Sequence, residues 1–517
     1  MNLRNLTFAA VSGILLAAAF PSFDIHVLAW IALVPLFLAL RERTVKEGFF
    51  LGGITGIVFF TATVYWVTNS VHFYGGIPLI PASCITLLLC AYLALYPAVF
   101  AAASIHLRYH YPSFFIASAP ALWTVLELAR TYVFTGFPWS LLGYSQYSVL
   151  PVVQIADITG VYGVTFCIVL VNVAIADFIT DRNSYAGLLV ALSVMVFVLG
   201  YGWDKLGVPE SIEEINVSVI QGNIEQDKKW DPAYQADTIA VYKKLTLAAI
   251  KQNPDLVVWP ETATPFYFTG ARASDRVLTA DLTRFVKQNK TPLLFGSPTF
   301  EIMPNREIVG RNSVFLLSAD GGIHGIYHKI HLVPFGEYVP HKKVLFFIEK
   351  MVEAIGDFQS GDEYTVMTIP AGNLGRKDVK LGTVICYEII FPDLVRRFAN
   401  NGAEILATVT NDSWFGRTAA PYQHFSMVVF RAVENRVPIA RAANTGVSGF
   451  IDAKGHILKT SNIFTEAYLT QKIAPGTVKP FYTRYGDLFS YACVIVILIL
   501  LAIKARTSTP GKKTKKR

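Results

Sequence analysis

The first two hundred residues of the chain are almost continuously apolar, and polar residues interrupt them only in short joints. Inside a bilayer the backbone must satisfy its own hydrogen bonds, so an apolar run of about 20 residues is restricted to a helix. The pattern predicts seven spans, over residues 6–21, 26–41, 49–70, 77–107, 113–131, 159–179 and 184–202. The first two are short for a full crossing.

A further apolar run, over residues 488–503, predicts an eighth span. We therefore expect a membrane domain over residues 1–204, an outer domain over 205–484, a last span over 485–504 and a basic tail over 505–517. Only 16% of the residues are charged. Soluble domains average about 25%, so the composition agrees with this division.

The N-terminal run (1–20) has the charge and apolar length of a secretory signal peptide. Because further apolar runs follow at once, we expect an uncleaved first helix rather than a cleaved leader.

Basic residues predict the orientation, since Lys and Arg near span ends favour the cytoplasmic side. They occupy alternate joints between the predicted spans: Arg41, Arg43, Lys46, Arg108 and Arg182. Arg4 and the basic tail fall on the same side. The outer domain is then predicted to lie outside the cytoplasm.

The net charge of +8 does not require a nucleic-acid partner. Seven basic residues and no acidic ones follow from Lys504 onward. We interpret this tail as an anchor on an anionic membrane leaflet.

The outer domain alternates strand-like and helix-like segments. Apolar runs rich in β-branched residues predict strands at 215–224, 255–262, 291–300, 312–321, 379–388, 403–412, 437–446 and 449–458. Helix-like segments occupy 233–252, 274–289, 392–400 and 423–435. Continuous apolar strands are typically buried on both faces, so this alternation predicts an α/β domain of layered sheets covered by helices.

Cysteine usage singles out one thiol. Cys84, Cys90, Cys167 and Cys493 lie in predicted spans, where cysteine packs as a small apolar residue. Only Cys386 lies in the outer domain, so it cannot form a disulfide within that domain, and a free external thiol is open to oxidation. Cys386 is either a buried packing residue or a nucleophile.

Polar residues also follow the carboxyl ends of predicted buried strands, where ligand sites of α/β sheets form. Glu261, Cys386, Asn411 and Asp412 follow such strands, and the loop 325–340 adds His328, Lys329, His331 and Glu337. A cysteine nucleophile needs a base or cation, and the carbonyl that it attacks needs a donor for its oxyanion. Taken singly, Glu261 also fits a turn cap and Lys329 an ordinary surface lysine.

Six motifs occur in a fixed order. They are "WPETA" (259–263), "YHKIHLVPFGEYVP" (327–340), "ICYE" (385–388), "NDSWFG" (411–416), "PYQH" (421–424) and "RAANTGVSGFID" (441–452). Together they resemble the bacterial apolipoprotein N-acyltransferases, a membrane-embedded branch of the nitrilase superfamily. The resemblance covers essentially the whole chain, including the seven-plus-one span layout. It implies a nitrilase-like α-β-β-α sandwich for the outer domain.

The resemblance also implies roles for the site residues. It makes Glu261 the general base, Lys329 the oxyanion stabiliser and Cys386 the nucleophile of a Glu-Lys-Cys triad. Glu337 is expected to orient Lys329 or to assist proton transfer. Further supporting residues are expected to be Trp230, Tyr387, Glu388, Asn411 and Trp414.

The implied reaction is a ping-pong acyl transfer in lipoprotein maturation, without cofactor or metal. Cys386 takes a fatty acyl chain from a phospholipid, typically phosphatidylethanolamine, and passes it to the N-terminal amine of a diacylglyceryl-modified apolipoprotein. The implied location is a bacterial inner membrane with the catalytic domain on the periplasmic side, and we expect a monomer. His328 and His331 lack a convincing zinc spacing.

Two other functions remain open. A membrane-anchored amidase or nitrilase-type hydrolase would use the same triad, although seven spans are excessive for a tether. A transporter with an external receptor domain is the non-enzymatic alternative. Coupled transporters usually need charges within the membrane, and here Glu127 and Arg130 are the main ones.

Two apolar stretches, "FYF" (266–268) and "VLFFIEKMV" (344–352), are candidates for arms that dip towards the membrane and admit lipid. The alternative for both is ordinary core packing.

Overall fold

The computed structural model describes residues 2–209, 213–229, 231–270, 272–302, 308–338, 358–370 and 378–507. Three subjects of prediction lie outside these ranges: Trp230, the apolar stretch 344–352 and the tail beyond residue 507.

Within the described ranges, five helices are long and apolar enough to cross a membrane. They are Val45–Val64, Leu79–His110, Pro112–Thr135, Val161–Thr180 and Tyr185–Gly207. The third to seventh predicted spans are thereby confirmed as long apolar helices. Shorter apolar helices occupy Leu3–Ala18, His26–Ala39, Leu150–Thr159 and Leu488–Lys504. The count of eight spans is not confirmed, because the first, second and eighth predicted runs form these shorter helices.

The second predicted span is divided into two pieces. A 3-10 helix covers His26–Trp30, and an α-helix begins only at Val34 and ends at Ala39. Pro35 lies in the first turn of this α-helix, the position where a missing N–H costs nothing. The buried side chain of Asn172 accepts from Leu33 N at 2.8 Å beside the break.

Small residues let two of the long helices pack closely. Gly48, Gly52 and Gly56 recur every fourth residue along Val45–Val64 and face Leu79–His110. A Cβ on Gly56 would lie 2.7 Å from Ala94 Cα. Without a hydrophobic drive between helices in lipid, such close backbone approach supplies the packing contacts.

Two six-stranded sheets form the outer domain, with strand orders β12-β1-β2-β3-β4-β5 and β11-β10-β9-β8-β7-β6. The strands are β1 Ile215–Gln221, β2 Leu256–Val258, β3 Leu293–Ile302, β4 Ile308–Leu317, β5 Ile323–His328, β6 Val366–Ile369, β7 Val379–Ile385, β8 Ile405–Thr410, β9 Ile439–Ala443, β10 Gly449–Ile451, β11 Ile457–Thr460 and β12 Ala467–Ile473. The pairs β1–β2, β2–β3, β7–β8 and β8–β9 are parallel, and the other pairs are antiparallel.

Helices cover the outer face of each sheet. Gln235–Ile250 and Ala273–Asn289 cover the first sheet, and Pro392–Asn400 and Ala420–Asn435 cover the second. The β3 side chains alternate accordingly: Leu294 packs between the sheets, whereas Leu293 and Phe295 pack under the first helix layer. The predicted layered α/β sandwich is therefore confirmed.

The segment 266–268 belongs to this core. Phe266 and Phe268 are buried under the first helix layer, and the Phe268 ring centroid lies 5.0 Å from that of Phe295. The prediction that this segment is an arm reaching the membrane is wrong, because its aromatic rings complete the packing of the first sheet.

The helix Ala420–Asn435 lies between the second sheet and the membrane domain. Apart from Tyr422, all of its residues are buried. Gln423 accepts from Trp139 Nε1 at 2.7 Å and donates to Pro21 O at 2.8 Å. Glu434 accepts from Val161 N at 3.0 Å. The membrane domain thus forms a further layer of the sandwich.

The outer domain sits on one end of the membrane domain. Among the hydrogen bonds that join them, four of 2.8–3.1 Å mark this end: Gln423 to Pro21 O, Ser70 to Trp414 O, Tyr387 to Gly136 O and Lys454 to Leu206 O. Pro21, Ser70, Gly136 and Leu206 lie at the ends of the first, third, fifth and seventh predicted spans. The basic joints precede the third, fifth and seventh of these spans and so lie at their opposite ends.

The ion pair within this interface is a direct test of the packing. Glu434 accepts from Arg431 Nη2 at 2.7 Å, and both side chains are fully buried. Glu434→Ala leaves the guanidinium unpaired, which we expect to cost about 3–5 kcal/mol. The measurement is the Tm of the full chain in detergent. Glu214→Ala is the matched control, since Glu214 pairs with Lys472 at 4.0 Å on the surface, where such pairs contribute about 0–1 kcal/mol. Equal shifts in Tm for the two variants would contradict the proposed interface.

Candidate active site

Three strand ends bring Glu261, Lys329 and Cys386 together. Glu261 comes three residues after β2, Lys329 directly after β5 and Cys386 directly after β7. The first two belong to one sheet and the third to the other, so the site lies where the two sheets meet. The three residues are 6%, 1% and 7% exposed. Charge on Glu261 and on Lys329 acts on the Cys386 thiol, which places all three in one cluster.

The lysine ammonium lies between two carboxylates. Lys329 Nζ is 2.9 Å from Glu337 Oε1 and 3.4 Å from Glu261 Oε1. Asn312 Nδ2 donates to the same two oxygens at 2.9 and 2.8 Å. Burial by itself lowers the pKa of Lys329, but Glu337 and Glu261 outweigh it and raise that pKa above its usual value. Lys329 therefore stays charged.

The Glu261 carboxylate is held from several sides. Its Oε2 accepts from the backbone N–H of Asn411 at 3.0 Å, while its backbone carbonyl accepts from Lys229 Nζ at 3.0 Å. Gly296 allows β3 to approach, since a Cβ there would lie 2.7 Å from Glu261 Cα. These contacts fix the direction in which the carboxylate points.

Cys386 occupies a sharp turn between β7 and the 3-10 helix Cys386–Ile390. Its φ of 52° lies in the left-handed region, which costs an L-residue roughly 1–2 kcal/mol. Burial and the charge on Glu261 raise the pKa of the thiol, and Lys329 only partly opposes them. The resting thiol is neutral, so the chemistry needs a base to remove its proton.

Glu388 connects the lysine loop to the cysteine turn. Its Oε1 accepts from Tyr327 OH and Ile330 N at 2.7 Å and from His331 N at 3.1 Å. Its Oε2 accepts from Ile385 N at 2.7 Å. Burial raises the pKa of Glu388 to about 7 despite these donors. With its oxygens directed at four fixed donors, Glu388 holds the lysine loop and the cysteine turn in place.

Tyr387 and Trp414 lie at the contact with the membrane domain. Tyr387 OH donates to Gly136 O at 3.1 Å. The Trp414 ring packs at 4.9 Å from that of Tyr74, and its carbonyl accepts from Ser70 Oγ at 2.8 Å. The loop 411–416 thus runs from the Glu261 carboxylate, at Asn411 N, to the membrane domain.

Sequence reasoning missed two buried residues of the site, Asn312 and Lys229. Asn312 lies opposite Lys329 across the β4–β5 hairpin, where its carbonyl accepts from Lys329 N at 2.8 Å. Pairing the two strands in register from the sequence would therefore have placed Asn312 beside Lys329. Lys229 follows another lysine in the sequence, and no sequence pattern indicated that its side chain is buried, at 1% exposed. Burial lowers its pKa to about 8, although Glu261 and Cys386 partly oppose this.

Comparisons with known proteins agree over the whole chain. Residues 12–174 match the family model described as the apolipoprotein N-acyltransferase N-terminal domain, and residues 216–482 match the carbon-nitrogen hydrolase model. A relative named apolipoprotein N-acyltransferase, from Geobacter metallireducens, is 43% identical over 512 residues, covering 97% of this chain and 96% of the relative. The chain belongs to the apolipoprotein N-acyltransferase family.

A second relative named apolipoprotein N-acyltransferase, from Haemophilus influenzae, is 32% identical. The matched region covers 96% of this chain and 94% of that relative. Among solved structures, a variant of a Nesterenkonia amidase of the nitrilase superfamily is 18% identical, covers 52% of this chain and 94% of that chain, and has a TM-score of 0.38. Membership in the N-acyltransferase family makes the chain an enzyme and favours acyl transfer over the hydrolase and transporter alternatives.

Asn312 offers a test of the charge cluster. Asn312→Asp places a carboxylate where the amide now donates to Glu261 and Glu337, and like charges at about 3 Å repel by several kcal/mol even when partly screened. We expect a larger loss of Tm than for Asn312→Ala, which removes two donors at about 1–3 kcal/mol. Alkylation of Cys386 by iodoacetamide should also slow, because the added charge disfavours the thiolate.

The matched control is Asn401→Asp, at an exposed position where the amide donates to Tyr364 O at 3.2 Å. We expect Asn401→Asp to leave both the Tm and the rate of Cys386 alkylation unchanged. If Asn312→Asp were as stable as Asn312→Ala, the described hydrogen bonds to the two carboxylates would be wrong.

Proposed function

We propose that this chain transfers a fatty acyl group from a phospholipid to the N-terminal amine of the diacylglyceryl-cysteine of an apolipoprotein, through a thioester on Cys386. The observation that carries the proposal is a neutral buried thiol next to a carboxylate and a charged lysine, at the end of the outer domain that contacts the membrane domain. Family membership supplies the class of substrate. We propose phosphatidylethanolamine as the donor.

In the first half-reaction, Glu261 takes the proton of the Cys386 thiol while the sulfur attacks the ester carbonyl. Lys329 Nζ and backbone N–H groups of the cysteine turn stabilise the tetrahedral oxyanion. The carbon–oxygen bond then breaks, and Glu261 returns the proton to the leaving lysophospholipid oxygen. An acyl group remains on sulfur as a thioester.

In the second half-reaction, the α-amine of the apolipoprotein attacks the thioester. The amine must be neutral, and its ordinary pKa near 7.7–8.0 leaves roughly 10–20% of it neutral at pH 7. The carbon–nitrogen bond forms, the carbon–sulfur bond breaks, and a proton passes by way of Glu261 from the amine to the Cys386 sulfur. Glu337 and Asn312 keep Lys329 and Glu261 in place throughout.

We also propose that the outer domain lies on the periplasmic side of a bacterial inner membrane and that the chain acts as a monomer. Three of the shorter apolar helices, Leu3–Ala18, His26–Ala39 and Leu488–Lys504, would complete eight spans. The basic joints lie at the end of the membrane domain opposite the outer domain, which supports this orientation. Lys504 at the far end of the last helix contacts His110 at 2.7 Å, beside the basic residue Arg108.

A hydrolase would use the same residues and differ only in the acceptor, since water would release the acyl group from Cys386. The two functions separate in the second half-reaction. An acyltransferase holds the thioester until an amine arrives, whereas a hydrolase releases free fatty acid without one.

The test is mass spectrometry of the full chain in detergent after incubation with phosphatidylethanolamine. We expect an adduct one acyl group heavier on Cys386, released by hydroxylamine, and none on Cys386→Ala. Glu261→Gln should slow adduct formation by about 10²–10⁴-fold, the usual contribution of a general base. Lys329→Met should slow it by about 10²–10³-fold, as for a lost oxyanion donor.

Lys472→Met is the matched lysine control, because Lys472 is exposed and pairs only loosely with Glu214. Addition of a diacylglyceryl-cysteine peptide should move the acyl group to its amine. Absence of any Cys386 adduct from active protein would overturn the proposal, and rapid release of free fatty acid without the peptide would favour the hydrolase.

A further inference from the structure

A buried polar group of three residues lies behind the nucleophile and takes no part in the mechanism above. His424 belongs to the helix Ala420–Asn435, Asp412 follows β8 by two residues and Arg441 lies on β9. All three are completely inaccessible to solvent. Three buried polar side chains of this kind are expensive to place unless each is paired, so their contacts indicate what they do.

His424 joins this group to Cys386. Its Nε2 lies 3.3 Å from the carbonyl oxygen of Cys386. Its Nδ1 lies 3.0 Å from Arg441 Nη2 and 3.1 Å from Asp412 Oδ1. Arg441 Nη2 in turn donates to Asp412 Oδ2 at 2.9 Å, and Arg441 Nε donates to Val447 O at 3.0 Å. The imidazole therefore bridges a charged pair and the main chain of the nucleophile.

The chemistry of the neighbours decides the tautomer of His424. A carbonyl oxygen can only accept, so the nitrogen facing Cys386 O must carry a hydrogen. Nδ1 faces Arg441 Nη2, which can only donate, and Asp412 Oδ1, which can only accept. Since Nε2 carries the one hydrogen of a neutral ring, Nδ1 then accepts from Arg441. Burial and the Arg441 charge lower the pKa of His424, while Asp412 partly opposes them. The ring is accordingly the neutral Nε2–H form.

The bond to Cys386 O fixes the orientation of a peptide group that matters to the reaction. The Cys386 carbonyl and the Tyr387 N–H belong to one planar trans peptide unit, in which they point in opposite directions. This unit opens the 3-10 helix Cys386–Ile390, where the first N–H groups have no partner within the helix. Holding the oxygen on one side therefore directs the N–H to the other.

We propose that His424 is a positioning residue for acyl transfer. Its Nε2–H holds the Cys386–Tyr387 peptide so that the Tyr387 N–H faces the tetrahedral oxyanion, and Asp412 and Arg441 set the imidazole for this role. The inference rests on the proposed thioester function and adds to it a residue outside the Glu-Lys-Cys triad.

The imidazole is locked in place from the membrane-domain side. The Trp139 ring packs at 5.6 Å from the His424 ring, and Phe415 packs edge-on at 6.0 Å. Trp139 Nε1 is itself fixed by its bond to Gln423 Oε1. On the opposite side, a Cβ on Gly446 would collide with the Asp412 carboxylate, so glycine leaves room for that group. These contacts hold the plane of the ring.

The test compares two substitutions that replace the imidazole ring with a side-chain amide at different distances from the main chain. In His424→Gln the amide nitrogen reaches about as far as Nε2 and can donate to Cys386 O. In His424→Asn it reaches only as far as Nδ1 and cannot. We expect His424→Asn to lower kcat for Cys386 acylation by about 10²–10³-fold, as for a misplaced oxyanion donor, with KM for phosphatidylethanolamine unchanged within about twofold. His424→Gln should retain kcat within about tenfold.

A purely structural role would move the two variants together, so equal losses of kcat, accompanied by equal losses of Tm, would overturn the proposal. His456→Asn and His456→Gln are the matched controls. His456 pairs with Asp452 at 2.7 Å in the β10–β11 turn, and its side chain is 46% exposed. Both controls should keep the wild-type kcat.

Nitrogen NMR of the full chain labelled on its histidines gives a second measurement that does not require His424→Asn to fold. We expect a neutral Nε2–H signature for His424, assigned by its loss in His424→Gln. An Nδ1–H tautomer would overturn the proposal, because Nε2 could then not donate.

The outcomes separate this inference from the proposed function. If the wild-type chain forms no hydroxylamine-labile adduct on Cys386, the proposed function fails and the inference fails with it. If the wild-type adduct forms and His424→Asn acylates at the wild-type rate, only the positioning role fails.

Discussion

A lysine ammonium enclosed by two carboxylates sets the requirements for the rest of the site. A buried charge is tolerated only when it is paired and when the remaining lone pairs and protons find partners. Lys329 meets Glu261 and Glu337, so those carboxylates must in turn be supplied with donors, and Asn312, Asn411 N and Val333 N supply them. Because these donors come from both sheets, the cluster exists only when the two sheets are packed together. The same enclosure keeps water from the thiol and leaves it neutral at rest.

The residues where the two sheets meet have two different roles. The charged residues carry the proposed chemistry, whereas Glu388 and His424 hold the main chain that presents them. Main-chain control suits a site where the nucleophile sits in a left-handed turn, since the turn persists only if its surroundings determine it. The membrane domain belongs to these surroundings, because Trp139 packs against the His424 ring. Catalytic and membrane domains are therefore parts of one packed unit.

Sequence patterns predicted the centre of this architecture better than its edges. Strands buried on both faces, such as β7 and β8, are continuous apolar runs, and the residues that follow them form the site. Strands β5, β6 and β12 lie towards sheet edges with partly exposed faces, so polar residues interrupt their pattern. Asn312 and Lys229 were not predicted as site residues because they contact Glu261, which is distant from both in the sequence. The rings of Phe266 and Phe268 look alike whether they fill a core or touch lipid, and only packing distinguishes the two.

The helix Ala420–Asn435 also constrains the order in which the protein can be built. Its partners Pro21, Trp139 and Val161 precede it by 402, 284 and 273 residues. During synthesis the membrane helices up to Tyr185–Gly207 are complete long before this helix leaves the ribosome, whereas the last apolar helix, Leu488–Lys504, follows it. Contacts so distant in sequence form slowly, and until they form, Arg431 and Glu434 have no enclosing layer. The nascent outer domain thus matures on a surface that the earlier membrane helices have already formed, and the turn that carries Cys386 is among the last parts to be set.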